Sequence, residues 1–136
     1  MSTEQSEPQQ SVARDIFQRR ISGIAEEMSA ALRRSAFSSI IWEMYDYSCA
    51  LFTPEGKMVA QAQTIAAQLG IMETAFAHVV KVIALCDWAS GDVIVCNDPY
   101  QGCTHTPDVV LFAPVFFDGE LVALVSTIAH HVDIGG

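Results

Sequence analysis

Positive charge is scarce in most of this chain. Beyond Arg34 there are only two basic residues, Lys57 and Lys81, against eleven acids, a difference that accounts for the entire net charge of −9. Such a surface offers phosphate no cluster of Lys and Arg, which argues against nucleic acid and anionic membrane as partners. It tolerates a bound cation well. The glycines form neither GxxxxGK[ST] nor GxGxxG, so the chain has no phosphate cradle of its own for a nucleotide. No apolar run approaches the length of a membrane span, and the first ten residues are polar rather than signal-like. The four cysteines include no CxxC pair, which excludes the common zinc-ribbon and thiol-exchange motifs. They are expected to be reduced and buried in a cytoplasmic protein.

What is present suffices for one domain with a real core: 136 residues, 51% of them apolar. Residues 1–10 are rich in Glu, Gln, Ser and Pro and are expected to be disordered; residues 11–136 read as one unit without internal repeats. Between residues 11 and 35, Ile16, Phe17, Ile21, Ile24, Ala25, Met28, Ala31 and Leu32 recur at three- and four-residue steps, the pattern of an amphipathic helix. Residues 45–52 and 57–63 read as strands joined through Thr53-Pro54-Glu55-Gly56. Gly70 precedes a second helix carrying Ile71, Ala75, Val79, Val82 and Ile83, with Cys86 on the same side. Residues 93–96 read as a short buried strand. The last third is a hairpin, residues 109–117 and 120–128 around Asp118-Gly119, a favoured two-residue turn. The expected class is α+β: an N-terminal helix, mixed or antiparallel strands, a second helix and a C-terminal hairpin.

The chain has only four histidines, and three of them (His105, His130 and His131) lie within three residues of an aspartate. If Phe117 pairs with Glu120, Asp108 lies across from Ala129 and Pro107 across from His130. The hairpin therefore carries two distant His/Asp segments to one end of the ribbon. Imidazole nitrogen and carboxylate oxygen together suit a borderline divalent metal. A single histidine there would do no more than hydrogen-bond at a sheet end. His78, inside the second helix, reads as structural.

These segments resemble a known family. The run from Asn97-Asp98-Pro99-Tyr100 through Gly102-Cys103-Thr104-His105-Thr106-Pro107-Asp108 is similar to the NDPYxGGTHxPD of the hydantoinase B/oxoprolinase family. Ala129-His130-His131-Val132-Asp133, continuing to Gly135-Gly136, is similar to its AHHxDxGG. Glu26-Glu27-Met28 to Arg33-Arg34-Ser35 resembles the family's opening helix, Asp46 to Phe52 its DFSCALF strand, and Gly56 to Ala62 the strand that follows. The likeness runs from about residue 11 to the last. Family members are several times longer, so the chain reads as the N-terminal portion of a larger subunit. Cys103 departs from the family pattern at the second glycine, adding a thiol beside the proposed site, and Gln68 stands where relatives often carry histidine.

The resemblance implies ATP-dependent hydrolytic opening of a cyclic amide (a hydantoin, 5-oxoproline or another lactam), with ATP and magnesium handled by a hydantoinase A-type subunit in a hetero-oligomer. It implies a divalent metal (manganese, zinc or iron) on His105, Asp108 and His130. An uninterrupted ladder instead gives Asp108 the same face as Ala129 and His131, and a bulge marked by Pro114 would shift that face by one residue. His131 therefore stays open as ligand or as a neighbour supporting one, with Asp133 and Asp98 as further supporting candidates. Glu43 and Asp46, just before the Ser48-Cys49-Ala50-Leu51-Phe52 strand, are candidate catalytic carboxylates. Two alternatives remain: a subunit of an ATP-dependent ketone carboxylase, or a truncated fragment without activity.

Overall fold

A computed structural model describes residues 6–64 and 70–133. The elements in chain order are α1 (Ser6–Ser35), α2 (Ser39–Trp42), β1 (Tyr47–Phe52), β2 (Met58–Gln61), α3 (Ile71–Val82), β3 (Ile94–Cys96), β4 (Asp108–Phe117) and β5 (Glu120–His130). Single 3-10 turns occupy Leu85–Asp87 and Pro99–Gln101. The strands form one sheet in the order β2-β1-β5-β4-β3, antiparallel at every pairing. No helix among the described residues is long and apolar enough to cross a membrane.

Alternation along the strands gives the sheet two apolar faces. Ala50, Phe52, Val110, Phe112, Leu124 and Ile128 meet Met72, Ala75, Phe76 and Val79 of α3. The Phe52, Phe76 and Phe112 rings lie within 6.3 Å of one another, centre to centre, and burying each contributes about 2 kcal/mol. On the other face Cys49, Leu51, Ala60 and Ala62 meet Ile21 and Ala25 of α1. There the Cys49 thiol is pushed up to about 12, first by burial and then by Glu26. Its neighbour Tyr47 is tied to α1 by the Ser29 hydroxyl, 3.3 Å from the Tyr47 oxygen.

Several boundaries differ from expectation. Helix α1 begins at Ser6, so residues 6–10 are helical rather than a tail; residues 1–5, Gln68 and residues 134–136 lie outside the described set. The apolar stripe of α1 is buried only in its second half, with Val12, Ile16 and Phe17 exposed. Length explains this. Thirty helical residues extend about 45 Å, whereas the six residues of β1 extend about 20 Å. Strand β3 is not buried: Val95, and Val93 just before it, are exposed, because it is the sheet's edge and pairs only with β4. Cys86 is exposed in a 3-10 turn rather than on the helix, since α3 stops at Val82. All four cysteines are free thiols, but only Cys49 and Cys103 are buried.

The hairpin is the element that matters for the site. Asp118 (φ 50°) and Gly119 (φ 81°) both adopt left-handed backbone, the type I′ geometry that matches strand twist. Phe117 pairs with Glu120 and Phe116 with Leu121, but Val115 pairs with Ala123. Val122 is therefore an extra residue in β5, a bulge that moves the register by one. From there on the ladder runs true to its other end, where Asp108 lies directly opposite His130. The bulge thus falls in the strand facing Pro114, not at Pro114 itself.

Candidate metal centre

Three chain segments converge where β4 begins and β5 ends. The Asn97–Asp108 loop is held from several sides. Its Pro99–Gln101 turn is capped by the Asp98 carboxylate, which accepts from the Tyr100 N–H at 2.9 Å, and the Asp98 carbonyl accepts from the Gln101 and Cys103 N–H groups. The Asn97 side-chain amide reaches across to the Thr106 carbonyl at 3.1 Å. Gly102 has φ 106°, and a Cβ there would lie 2.6 Å from the Ala75 nitrogen and 2.9 Å from the Ala75 Cα. Only glycine allows the loop to approach the α3 backbone at Thr74 and Ala75 this closely.

At the loop's end the Asp108 N–H donates to the His105 carbonyl, closing a turn that brings both side chains round. Asp108 is 3% exposed. Its Oδ1 lies 3.1 Å from His130 Nδ1 and 3.5 Å from His105 Nδ1, and its Oδ2 accepts from the Thr104 hydroxyl. The two imidazoles meet edge to face, 4.8 Å between centres. One nitrogen or oxygen from each of His105, Asp108 and His130 lies within 4.8 Å of the others.

The third segment is the approach to β1. The Asp46 carbonyl accepts from the His130 N–H at 3.0 Å, and its carboxylate Oδ2 lies 3.9 Å from His130 Nδ1. The corner ahead of it is fixed by Arg33, whose guanidinium sits over the Tyr45 and Trp42 rings and donates to the Trp42 carbonyl.

The electrostatics of Asp108 are unusual. A buried carboxylate is costly unless compensated, and among the described residues no lysine or arginine forms an ion pair with it. Its neighbours are two imidazoles and one hydroxyl. That donor set is balanced by a proton on a histidine or by a cation held in common, and His/Asp/His is a set that divalent transition metals accept. The residues present therefore fit a metal.

The remaining candidates are placed as follows. His131 turns away: its N–H continues the ladder to the Pro107 carbonyl and its Nδ1 contacts the Val132 carbonyl. Asp133 is exposed beyond β5, Asp98 spends its carboxylate on the turn, and Glu43 is exposed at the end of α2, where its N–H donates to Ser39. Cys103 points inward, its Sγ 3.7 Å from the Cys96 carbonyl and 4.0 Å from Cys96 Sγ. Burial first, then Cys96, Asp108 and Asp98, push its thiol up to about 12, so it presents no thiolate to the histidines at neutral pH. Reading the residues one by one missed two supports, Thr104 and the Arg33 corner. Thr104 was legible as the hydroxyl inside the Thr-His-x-Pro-Asp run; the Arg33 contacts leave no signal in sequence.

Comparison with known proteins gives a consistent answer. The family model for hydantoinase B/oxoprolinase matches residues 10–136. The 5-oxoprolinase of Dictyostelium discoideum is 39% identical over 121 residues, which is 89% of this chain and 10% of that protein. Among solved structures, the ATP-dependent caprolactamase of Pseudomonas jessenii superposes with a TM-score of 0.77 at 34% identity, covering 89% of this chain and 21% of that one. A nucleotide-free acetone carboxylase superposes with a TM-score of 0.83 at 19% identity, over 98% of this chain and 18% of that one. The chain thus spans about a tenth to a fifth of the length of these relatives.

Proposed function

This chain belongs to the hydantoinase B/oxoprolinase family, and we propose that it supplies the metal-binding part of an ATP-dependent enzyme that opens cyclic amides by hydrolysis. The observation that carries the reading is the cluster of His105, Asp108 and His130 donor atoms around a buried carboxylate. In this reading those three residues hold the ion, Thr104 orients Asp108, and His131, Asp133 and Asp98 support the loop and strand end around them. A divalent ion such as manganese, zinc or iron, when bound there, supplies Lewis acidity. In the same reading Asp46, whose Oδ2 lies 3.9 Å from His130 Nδ1, takes a proton from an attacking water. Glu43, exposed at the end of α2, is the second candidate catalytic carboxylate in this reading.

The ATP requirement follows from the chemistry. An unstrained lactam carbonyl is a poor electrophile, and transfer of a phosphoryl group to its oxygen supplies a leaving group. A chain without a phosphate-binding glycine loop needs that transfer done elsewhere, which supports a hydantoinase A-type subunit or domain as partner. The ketone-carboxylase alternative has support from the acetone carboxylase likeness in fold alone, at 19% identity. The caprolactamase likeness reaches 34%, so the amide reading is preferred. Product analysis of the assembled enzyme with and without bicarbonate separates the two.

The direct test is elemental analysis of the purified chain after incubation with manganese, beside His105→Ala and His130→Ala. The expected result is one divalent ion per chain, lost in both variants. A folded chain that takes up no ion, or one whose two variants still take up as much as the original, would sink the assignment.

A further inference from the structure

Cys96 and Cys103 form a second chemical feature that the metal reading does not use. They enter the same small region from different elements, Cys96 from the end of edge strand β3 and Cys103 from the far side of the Pro99–Gln101 turn. Their sulfurs are 4.0 Å apart, at van der Waals contact, and no other side chain separates them. Cys103 is buried, whereas Cys96 is half-buried and lines an open cleft of about 280 Å³ together with His78, Val79, Val82, Asp98 and Gln101. A small oxidant thus has a route to one sulfur, and the second waits directly behind it.

We propose that Cys96 and Cys103 are a disulfide-forming pair, and that closing the bond disturbs the His105–Asp108 loop. With hydrogen peroxide as oxidant, the Cys96 sulfur attacks one peroxide oxygen; the S–O bond forms, the O–O bond breaks, and the departing hydroxide takes the Cys96 proton and leaves as water. The Cys103 sulfur then attacks the Cys96 sulfenyl sulfur; the S–S bond forms, the S–O bond breaks, and the departing hydroxide takes the Cys103 proton as a second water. Two thiols are oxidised by two electrons and one peroxide is reduced. Cys96 reacts first because it is the accessible one, and proximity drives the second step. Bond formation requires the sulfurs to close from 4.0 Å to about 2 Å. Strand β3 is anchored by its pairing to β4, and Gly102 is pressed against α3, so movement falls on Cys103 and the Thr104-His105 segment that follows it. The effect on metal rests on the proposed function; the disulfide itself does not.

The test uses the whole chain. It is treated with peroxide and then digested with chymotrypsin, which cuts after the exposed Tyr100 and so separates the two cysteines. Manganese affinity is measured on the reduced and oxidised forms. The expected result is a linked Cys96–Cys103 peptide, reversed by a dithiol, with manganese binding about tenfold weaker in the oxidised chain. Cys86→Ser should behave identically, and Cys96→Ser should lose both the link and the sensitivity. Absence of the linked peptide in a folded chain overturns the proposal, and a linked chain with unchanged manganese affinity overturns its effect on the loop. If the reduced chain binds no manganese while the link forms, the metal assignment fails and the disulfide stands.

Discussion

Gly102 offers a sharp test of how the metal loop is held. Replacing it with alanine does two things. It forces an L side chain to φ 106°, a penalty of about 1 kcal/mol, and it drives a methyl to 2.6 Å from the Ala75 nitrogen and 2.9 Å from the Ala75 Cα and Thr74 carbonyl carbon. These are main-chain atoms of α3, so no rotamer change relieves the contact, and separating helix from loop adds about 2 kcal/mol. The expected total is about 3 kcal/mol, or roughly 10 °C in melting temperature for a domain of this size. Gly119→Ala is the control. Its φ of 81° is also left-handed, but nothing lies within 4 Å of the added methyl, so only the backbone penalty of about 1 kcal/mol remains. Urea denaturation followed by circular dichroism measures both, and manganese titration reads the site. Gly102→Ala should weaken metal binding while Gly119→Ala leaves it unchanged. Equal losses of stability in the two variants would refute the reasoning, because the approach of the loop to α3 would then carry no energy.

Three further outcomes follow from the same geometry. Thr104→Val removes the hydroxyl that donates to Asp108 Oδ2; with water able to reach this exposed position, stability should fall by about 1 kcal/mol and manganese affinity by about tenfold, read by denaturation and calorimetry. Deleting Val122 removes the one unpaired residue of β5 and leaves the pairing on both sides of it intact, so metal binding should be retained; its loss would mean that the bend, not the register, aligns the ligands. Cys49 gives a pH dependence. Its folded pKa of about 12 exceeds the ordinary 9.0, so its contribution is fully present below pH 9.0 and is lost as pH rises from there towards about 12. Alkaline denaturation of Cys49→Ala should show a shallower fall over that window.

The hairpin was legible because Asp118-Gly119 is a strong local turn signal set between two long apolar runs. From it came the convergence of His105, Asp108 and the His130-His131 pair at one end of the ribbon. What could not be read was which of the pair faces Asp108. A single extra residue decides it, and Pro114 points to a bulge in its own strand, whereas the extra residue is Val122 of the facing strand. The exposed half of α1 and the exposed edge strand β3 were unreadable for a related reason. Periodicity reports which face of an element is apolar, not whether another element is long enough to cover it. Periodicity misplaces Cys86 because α3 stops at Val82, where Ile83 adopts extended backbone, although the apolar pattern continues past it.

The hairpin also has a consequence for how this region comes apart. It is closed at one end by the Asp118-Gly119 turn and is open at the other, where strand ends ordinarily fray first. An ion shared by His105, Asp108 and His130 would sit across that open end as a clasp, joining segments that are 22 residues apart between Asp108 and His130. Because binding stabilises only the zipped form, an ion at a hundred times its dissociation constant adds about 2.7 kcal/mol. Amide exchange along β4 and β5 should then slow from the ligand end inward on adding metal, so the same three side chains would set both what the site can bind and the order in which the ribbon unzips.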